Sequence, residues 1–235
     1  MAAEPRIRKF TRAQIIYHWL YAGSWLVLAL TGASFMWRPD PHGVVTGLGV
    51  YLQGDVGQIL RTVHRVAALF FITAPIVWML MEPRGFMGEV IELLTIRRLD
   101  WKWLAVAPLH YTVGRPPLPP QGKYNTGQKL NEWIVFTGYF GFLISGLIMW
   151  FGRGAVSVEA FRWMLLLHSF LFWVGVLMAS LHMYLTLVHP FTRQALSIVG
   201  NGFVSLRYAR AEHPLWVAEQ MESGKAQVID APAHD

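Results

Sequence analysis

Four long apolar stretches divide the chain and predict four membrane-spanning helices. Three of them contain no Asp, Glu, Lys or Arg over 20 residues or more, which is the length that a helix needs to cross a bilayer. The fourth, 66–81, has 16 such residues and becomes long enough when it extends backward past Arg65 and Arg61. The predicted spans are 14–37, 59–81, 131–151 and 163–189. We therefore expect an all-α membrane protein, with 1–192 as a four-helix up-down bundle and 193–235 as a tail.

The polar segments outside the spans carry weaker structural signals. Between the second and third spans, residues 88–96 (GEVIELLTI) predict a short amphipathic surface helix. The proline-rich stretch 115–121 (RPPLPPQ) predicts extended backbone, because each proline restricts its own backbone and that of the residue before it. In the tail, residues 197–210 predict an interfacial helix with an apolar side.

Positive charge is distributed unevenly between the two sides of the predicted bundle. Of the 20 Lys and Arg residues, 15 lie in the N-terminal tail, the long second loop and the C-terminal tail, with Lys9, Lys123 and Lys129 among them. Under the positive-inside rule, both termini and the long loop face the cytoplasm. The net charge of +6 therefore reports topology, and we expect no nucleic-acid partner.

The chain contains no cysteine. This excludes covalent haem attachment through Cys-x-x-Cys-His, cysteine-held iron–sulfur clusters, thiolate zinc sites and disulfide bonds. Histidine and carboxylate side chains remain as metal ligands.

Four of the nine histidines fall inside the predicted spans. His168 and His182 are 14 residues apart, which places them on one helix face with a rise of about 21 Å. In the predicted topology, His18 lies at the depth of His182 on the inner side, and His64 lies at the depth of His168 on the outer side. Two imidazoles at one depth of a bundle suit the axial positions of a haem iron, so the pairs predict two bis-histidine haems. We expect the other histidines to be solvated or interfacial; they are His42, His110, His189, His213 and His234.

Other residues near the four histidines are compatible with haem. Several glycines in the spans leave room beside the helices; they are Gly23, Gly32, Gly138, Gly141, Gly146 and Gly175. Arg61 and Arg65 flank His64 and are candidates to neutralise haem propionates. Their alternative role is to extend toward the lipid headgroups.

The sequence resembles the cytochrome b gamma subunits of membrane-bound formate dehydrogenases, which are related to hydrogenase cytochromes b. The motifs that carry this resemblance are GKYNTGQK at 122–129, Leu167-His168, His182-Met183-Tyr184, His18-Trp19 and the tail segment 211–216 (AEHPLW). The resemblance extends from Arg8 to about Glu222. It implies two b haems, the inner one held by His18 and His182 and the outer one by His64 and His168.

The resemblance also implies a quinone site near the inner haem. This site would be formed by Asn125, Gly127 and Gln128 together with His182, with menaquinone or ubiquinone as the electron acceptor. Polar donors beside an apolar channel are what a quinone requires. The alternative interpretation is that residues 125–128 only begin and cap the third span.

The resemblance further implies that the chain anchors a larger complex in the bacterial cytoplasmic membrane. Its partners would be an iron–sulfur beta subunit and a molybdenum or tungsten catalytic alpha subunit, since this chain has no substrate-oxidising site of its own. One alternative is the cytochrome b subunit of a hydrogenase or another respiratory oxidoreductase. Another is a haem-free membrane anchor or small transporter in which the histidines bind protons or metal. The expected lack of buried Asp or Glu in the spans argues against a proton-coupled transporter.

Overall fold

Four long helices form the largest part of the structure. The computed structural model describes residues 3–36, 54–188 and 193–232. Its α-helices are α1 (Arg12–Met36), α2 (Gly54–Met81), α3 (Pro83–Leu94), α4 (Arg98–Val113), α5 (Thr126–Phe151), α6 (Val158–Met183), α7 (Leu206–Glu212) and α8 (Pro214–Glu222). Helices α1, α2, α5 and α6, the last with a π-helical continuation to Val188, are long and apolar enough to cross a membrane. This confirms the prediction of four candidate spans; residue 37, His42, His189 and His234 lie outside the described residues.

The long connection between α2 and α5 contains two helices. Helix α3 includes most of the predicted amphipathic segment 88–96, and α4 follows it after three residues. The sequence patterns did not predict α4. This helix ends at Val113, and the residue that caps it, Gly114, has a positive φ of 77°. Residues 115–122 then run without regular secondary structure.

The two tails form a small sheet, which corrects the all-α expectation to a mostly helical fold. Strands β1 (Ala3–Arg8), β2 (Phe203–Ser205) and β3 (Val228–Pro232) pair in the order β2-β1-β3, with both pairings antiparallel. Side chains alternate between the faces of a strand, so Ile7 on β1 is fully buried while Arg6 and Arg8 stay partly exposed. Strands β2 and β3 pair with the two edges of β1, and both belong to the distant C-terminal tail. The sheet therefore forms only when the two tails meet.

Residues 197–210, predicted as one interfacial helix, are divided into three elements. A 3₁₀ helix ends at Val199, β2 follows, and α7 begins after Ser205. The break is at Gly202, which has a φ of 80°. A Cβ atom at this position would lie 2.2 Å from the carbonyl oxygen of Phe10, so the position requires glycine, and its left-handed φ interrupts the helix.

The structure divides into two compact units. We call Ile16–Met81 with Thr137–Leu181 the bundle unit, and Met1–Ile15, Glu82–Phe136 and His182–Asp235 the terminal unit. The apolar core of the terminal unit consists of Ile7, Val204, Leu206, Ala209, Trp216 and Val217. The bundle unit exposes many large apolar side chains, as expected for helices that face lipid.

Candidate haem site and its polar surroundings

In the bundle unit, His64 and His168 face one cavity. Their ring centroids are 6.4 Å apart, and both side chains line a space of about 430 Å³. The two residues come from different helices, α2 and α6. The structure therefore brings together the two histidines that the depth argument assigned to the outer side.

Each of these imidazoles is held by a hydroxyl group on a neighbouring helix. Nδ1 of His64 lies 2.7 Å from Oγ1 of Thr31, and Nδ1 of His168 lies 2.9 Å from Oγ of Ser145. Each hydroxyl donates its single proton to a backbone carbonyl four residues earlier, on Val27 at 2.7 Å and on Gly141 at 2.6 Å. The hydroxyl oxygens must then accept from Nδ1–H.

This hydrogen bonding selects one tautomer of each ring. With the proton on Nδ1, the lone pair on Nε2 is available to a metal, and the second bond fixes the orientation of the ring. Among the described residues, none hydrogen-bonds to Nε2 of His64 or His168. Sequence reasoning missed Thr31 and Ser145, because they lie 33 and 23 residues from the histidines they bind.

The cavity wall is apolar apart from a few groups. Gly32 and Gly146 are two of its residues. A Cβ atom on Gly32 would lie 3.7 Å from Cε1 of His64, and one on Gly146 would lie 3.5 Å from Cε1 of His168. Aromatic rings form much of the remaining wall: Trp25, Phe35, Phe71, Phe142, Trp150 and Phe172.

The two arginines predicted near the outer haem have different positions. Arg65 lines the cavity, with its guanidinium 5.2 Å from the ring centroid of Trp150. Arg61 is exposed and is not among the residues of that wall. Only Arg65 is placed to contact a ligand in this cavity.

The donor set fits a haem. A metal–imidazole bond is about 2 Å long, so two imidazoles that coordinate one metal from opposite sides have ring centroids roughly 6 Å apart. His64 and His168 match this spacing. Within the described residues, no group of three or more His, Asp or Glu side chains is arranged to hold a metal ion. A porphyrin would supply the four equatorial nitrogens that the protein itself does not.

The residues predicted for the inner haem belong to separate units. His18 lies on α1 in the bundle unit, and His182 lies in the last turn of α6 in the terminal unit. A π-helical segment, Tyr184–Val188, follows His182 directly. The pairing of His18 with His182 stays a prediction.

The predicted quinone segment forms the beginning of α5. The backbone N–H of Gln128 donates to Oδ1 of Asn125 at 2.9 Å, and the N–H of Asn125 donates to Oε1 of Gln128 at 3.0 Å. This reciprocal pair is a capping box; it uses the side-chain oxygens of both residues, and their side-chain NH2 groups take no part in it. A Cβ atom on Gly127 would lie 3.1 Å from the indole of Trp103. These residues therefore have the structural role that the alternative interpretation gave them.

Buried polar groups connect α4 with α5 in the terminal unit. Asp100 is 3% exposed; it accepts hydrogen bonds from Thr126 Oγ1 at 2.8 Å, Lys129 Nζ at 3.1 Å and the Arg97 backbone at 2.6 Å. Burial alone would raise the pKa of Asp100, but these hydrogen bonds and the charge of Lys129 lower it below the ordinary value. Lys129 is thus paired inside the protein.

A second buried polar contact corrects the expectation that His213 is solvated. His213 is 2% exposed; its Nε2 lies 2.6 Å from Lys9 Nζ, and its Nδ1 lies 2.9 Å from the carbonyl oxygen of Gly122. Burial, followed by the charge of Lys9, lowers the pKa of His213 to about 3. Burial and then Lys123 lower the pKa of Lys9 to about 7. The neutral ring accepts from Lys9 and donates to Gly122.

One acidic residue was also missed within the spans. No buried Asp or Glu was expected in them, but Glu132 is half-buried in the second turn of α5. The predicted span 131–151 includes this carboxylate because the residues that follow it are apolar.

Comparisons with known proteins confirm the resemblance carried by the motifs. The chain is 24% identical over 221 residues to the cytochrome b556(fdo) subunit of formate dehydrogenase from Escherichia coli strain K12, covering 93% of this chain and 95% of that protein. It is 26% identical over 226 residues to the formate dehydrogenase cytochrome b556 subunit of Haemophilus influenzae, covering 94% and 86%. With the nitrate-inducible cytochrome b556(Fdn) subunit of Escherichia coli strain K12, the identity is 29% over 204 residues, or 86% of each chain.

A family model covers most of the chain and includes all four predicted ligands. The model is that of the prokaryotic cytochrome b561 proteins, and it matches residues 9–201. Together with four candidate membrane helices and a cavity between two imidazoles of fixed tautomer, this match shows that the chain belongs to the prokaryotic cytochrome b561 family of membrane-bound b-type cytochromes.

Proposed function

We propose that the chain is the membrane-anchoring dihaem cytochrome b subunit of a respiratory formate dehydrogenase. It passes electrons from an external iron–sulfur subunit through two bis-histidine haems to a quinone near the cytoplasmic face. The relatives named as formate dehydrogenase subunits support the choice of complex. Both termini and the α2–α5 connection face the cytoplasm in this proposal, as the charge distribution favours.

The observation that carries the proposal is the opposed pair His64 and His168. Both rings line one cavity, and Nδ1 of each is engaged by Thr31 or Ser145, so Nε2 is the nitrogen left for a metal. When bound here, a haem supplies an iron centre that accepts and releases one electron. His64 and His168 would both hold this iron, and a haem held by two histidines would favour electron transfer over oxygen binding.

The surrounding side chains adapt the cavity to that role. Gly32 and Gly146 leave space next to the imidazoles, and the aromatic wall excludes water. Arg65 supplies a positive charge at the wall for a propionate. Apolar surroundings and hydrogen bonds to the axial ligands are the means by which a protein adjusts a haem potential.

His18 and His182 hold the inner haem in this proposal, and Asn125, Gly127, Gln128 and His182 form the quinone site. The capping box uses the side-chain oxygens of Asn125 and Gln128. Their amide N–H groups therefore remain suitable donors for a quinone carbonyl. Capping and quinone binding are compatible roles for these two residues.

The first experiment is to purify the complex in mild detergent and measure haem per polypeptide, with reduced-minus-oxidised absorption spectra. We expect two low-spin b haems per chain and reduction of both by formate. A colourless, folded preparation from haem-replete cells would overturn the cytochrome function. Haems that hydrogen reduces and formate does not would replace formate dehydrogenase with a hydrogenase as the partner enzyme.

A further inference from the structure

Glu132 is a carboxylate placed inside a candidate membrane span. It is half-buried in the second turn of α5. Among the described residues of the four spans, the other carboxylates are Asp55 and Glu159, which lie in the first turns of α2 and α6. An ionisable side chain within a span is costly and commonly belongs to a proton pathway. Glu132 has no role in the haem site described above.

The position of Glu132 on α5 places it beside the proposed quinone segment. Residues 125, 128 and 132 are separated by three and then four positions, so they share one side of the helix. The capping box fixes Asn125 and Gln128 at the helix start. Glu132 follows Gln128 by one turn, at a Cβ separation of about 5–6 Å. A quinone carbonyl bound at this segment is within reach of the carboxyl group.

Interacting titratable groups extend from Glu132 to a polar cavity in the terminal unit. Tyr124 interacts with Glu132 and with Glu89, and burial followed by these two carboxylates raises the pKa of Tyr124 well above its ordinary value. Glu89 forms an ion pair with Lys123, and both line a cavity of about 520 Å³. Tyr124 thus keeps its proton near neutral pH. It interacts with Glu89 in the cavity wall and with Glu132 in the span.

Reduction of a quinone to a quinol requires two electrons and two protons, one for each carbonyl oxygen. Electrons arrive by the route proposed above, whereas the protons must come from protein groups in contact with water. We propose that Glu132 donates one of these protons to the quinone at the Asn125–Gln128 segment and is reprotonated from the Glu89 cavity through Tyr124. The carboxyl O–H bond breaks as the quinol O–H bond forms. This inference rests on the proposed function.

The test is Glu132→Gln in the intact, haem-loaded complex, because glutamine keeps the size of the side chain and removes its acidic proton. General acids typically contribute 10²–10⁴-fold to a rate, so we expect formate-driven quinol formation to fall at least tenfold in kcat with little change in KM for quinone. Electrons then accumulate upstream, and the reduced fraction of the haems rises during turnover. Glu132→Asp is expected to restore most of the rate.

A second readout does not depend on turnover. The redox-induced infrared difference spectrum of the wild type is expected to contain a carboxyl C=O band that Glu132→Gln removes. The matched control is Glu222→Gln at the exposed end of α8, which should leave the rate, haem reduction and infrared band unchanged. If Glu132→Gln prevents folding, Tyr124→Phe tests the same path and should slow quinol formation at constant haem content.

The two proposals can fail separately. If the wild-type complex holds haem but reduces no quinone, the proposed function fails, and the role of Glu132 fails with it. If the wild type reduces quinone and Glu132→Gln matches it in rate, haem reduction and infrared spectrum, only the proton-donor role is overturned.

Discussion

Buried histidines occur in both units, and their hydrogen bonding differs. In the bundle unit, His64 and His168 line a cavity and each uses Nδ1 in a hydrogen bond, and no described residue hydrogen-bonds to Nε2. In the terminal unit, His213 uses both ring nitrogens, one with Lys9 and one with Gly122. Burial therefore does not distinguish a ligand from a structural histidine. The availability of a ring nitrogen beside a cavity does.

The difference follows from what surrounds each ring. A helix hydroxyl that already donates to its own backbone can only accept from the imidazole, and it has no charge. A lysine ammonium can only donate, so it occupies the lone pair that a metal would need. Three sets of substitutions and one change of pH test this comparison.

Removing the predicted ligands should give the largest effect. We expect His64→Ala and His168→Ala each to abolish binding of the outer haem, because one imidazole alone leaves an axial position empty. The measured ratio should fall from two haems to one per chain. His213→Ala is the matched control, since both its nitrogens are occupied in the protein. Unchanged haem content in both ligand variants would contradict the assignment.

Filling the cavity should have the next largest effect. Gly146→Leu extends a side chain beside the ring of His168, where even a Cβ atom would lie 3.5 Å from Cε1. We expect partial or complete loss of the outer haem at normal expression. Gly138→Leu is the control, because nothing lies within 4 Å of a Cβ atom there. Equal haem occupancy in the two leucine variants would show that this space is not the haem site.

Removing the hydroxyl partners should weaken the site without abolishing it. Ser145→Ala and Thr31→Val take away the acceptors for Nδ1–H, and loss of such partners typically lowers ligand-site affinity by 10–100-fold. The imidazole becomes a poorer electron donor, so the haem midpoint potential should rise. Redox titration and haem loss during dialysis measure both effects. Ser180→Ala is the control, since among the described residues Ser180 hydrogen-bonds to the backbone of its own helix at Val176 alone. A shift as large in this control would count against the hydroxyl role.

The contact between His213 and Lys9 should make the terminal unit sensitive to acid. The folded-state pKa of His213 is about 3, below its unfolded value of about 6.5. The stabilisation is therefore present above pH 6.5 and is lost as the pH falls toward 3. Between pH 7 and pH 5 the loss is about 2 kcal/mol. Thermal unfolding followed by tryptophan fluorescence, to which the buried Trp216 contributes, measures it.

The variant His213→Asn provides the control for this pH effect, because asparagine does not titrate and can hydrogen-bond to Lys9. It should unfold with a weaker pH dependence over the same range. If the wild type and this variant lose equal stability on acidification, another group is responsible.

Features that depend on local composition could be predicted without any knowledge of the fold. The helices α1, α2, α5 and α6 follow from apolar stretches of sufficient length, since hydrogen bonding in lipid forces such segments to be helical. The spacing of His168 and His182 follows from helix geometry. The glycines at 32 and 146, which line the cavity, were also recognised from the sequence.

The contacts between polar groups depend on how distant segments pack together. Thr31 binds His64 across 33 residues, and Lys9 binds His213 across 204 residues, so no local pattern connects them. Strand β1 is also far along the chain from its partners β2 and β3. For this reason the tails were not predicted as a sheet. Hydropathy predicts whether a segment leaves water; the partners that satisfy its polar atoms are set by packing between distant segments.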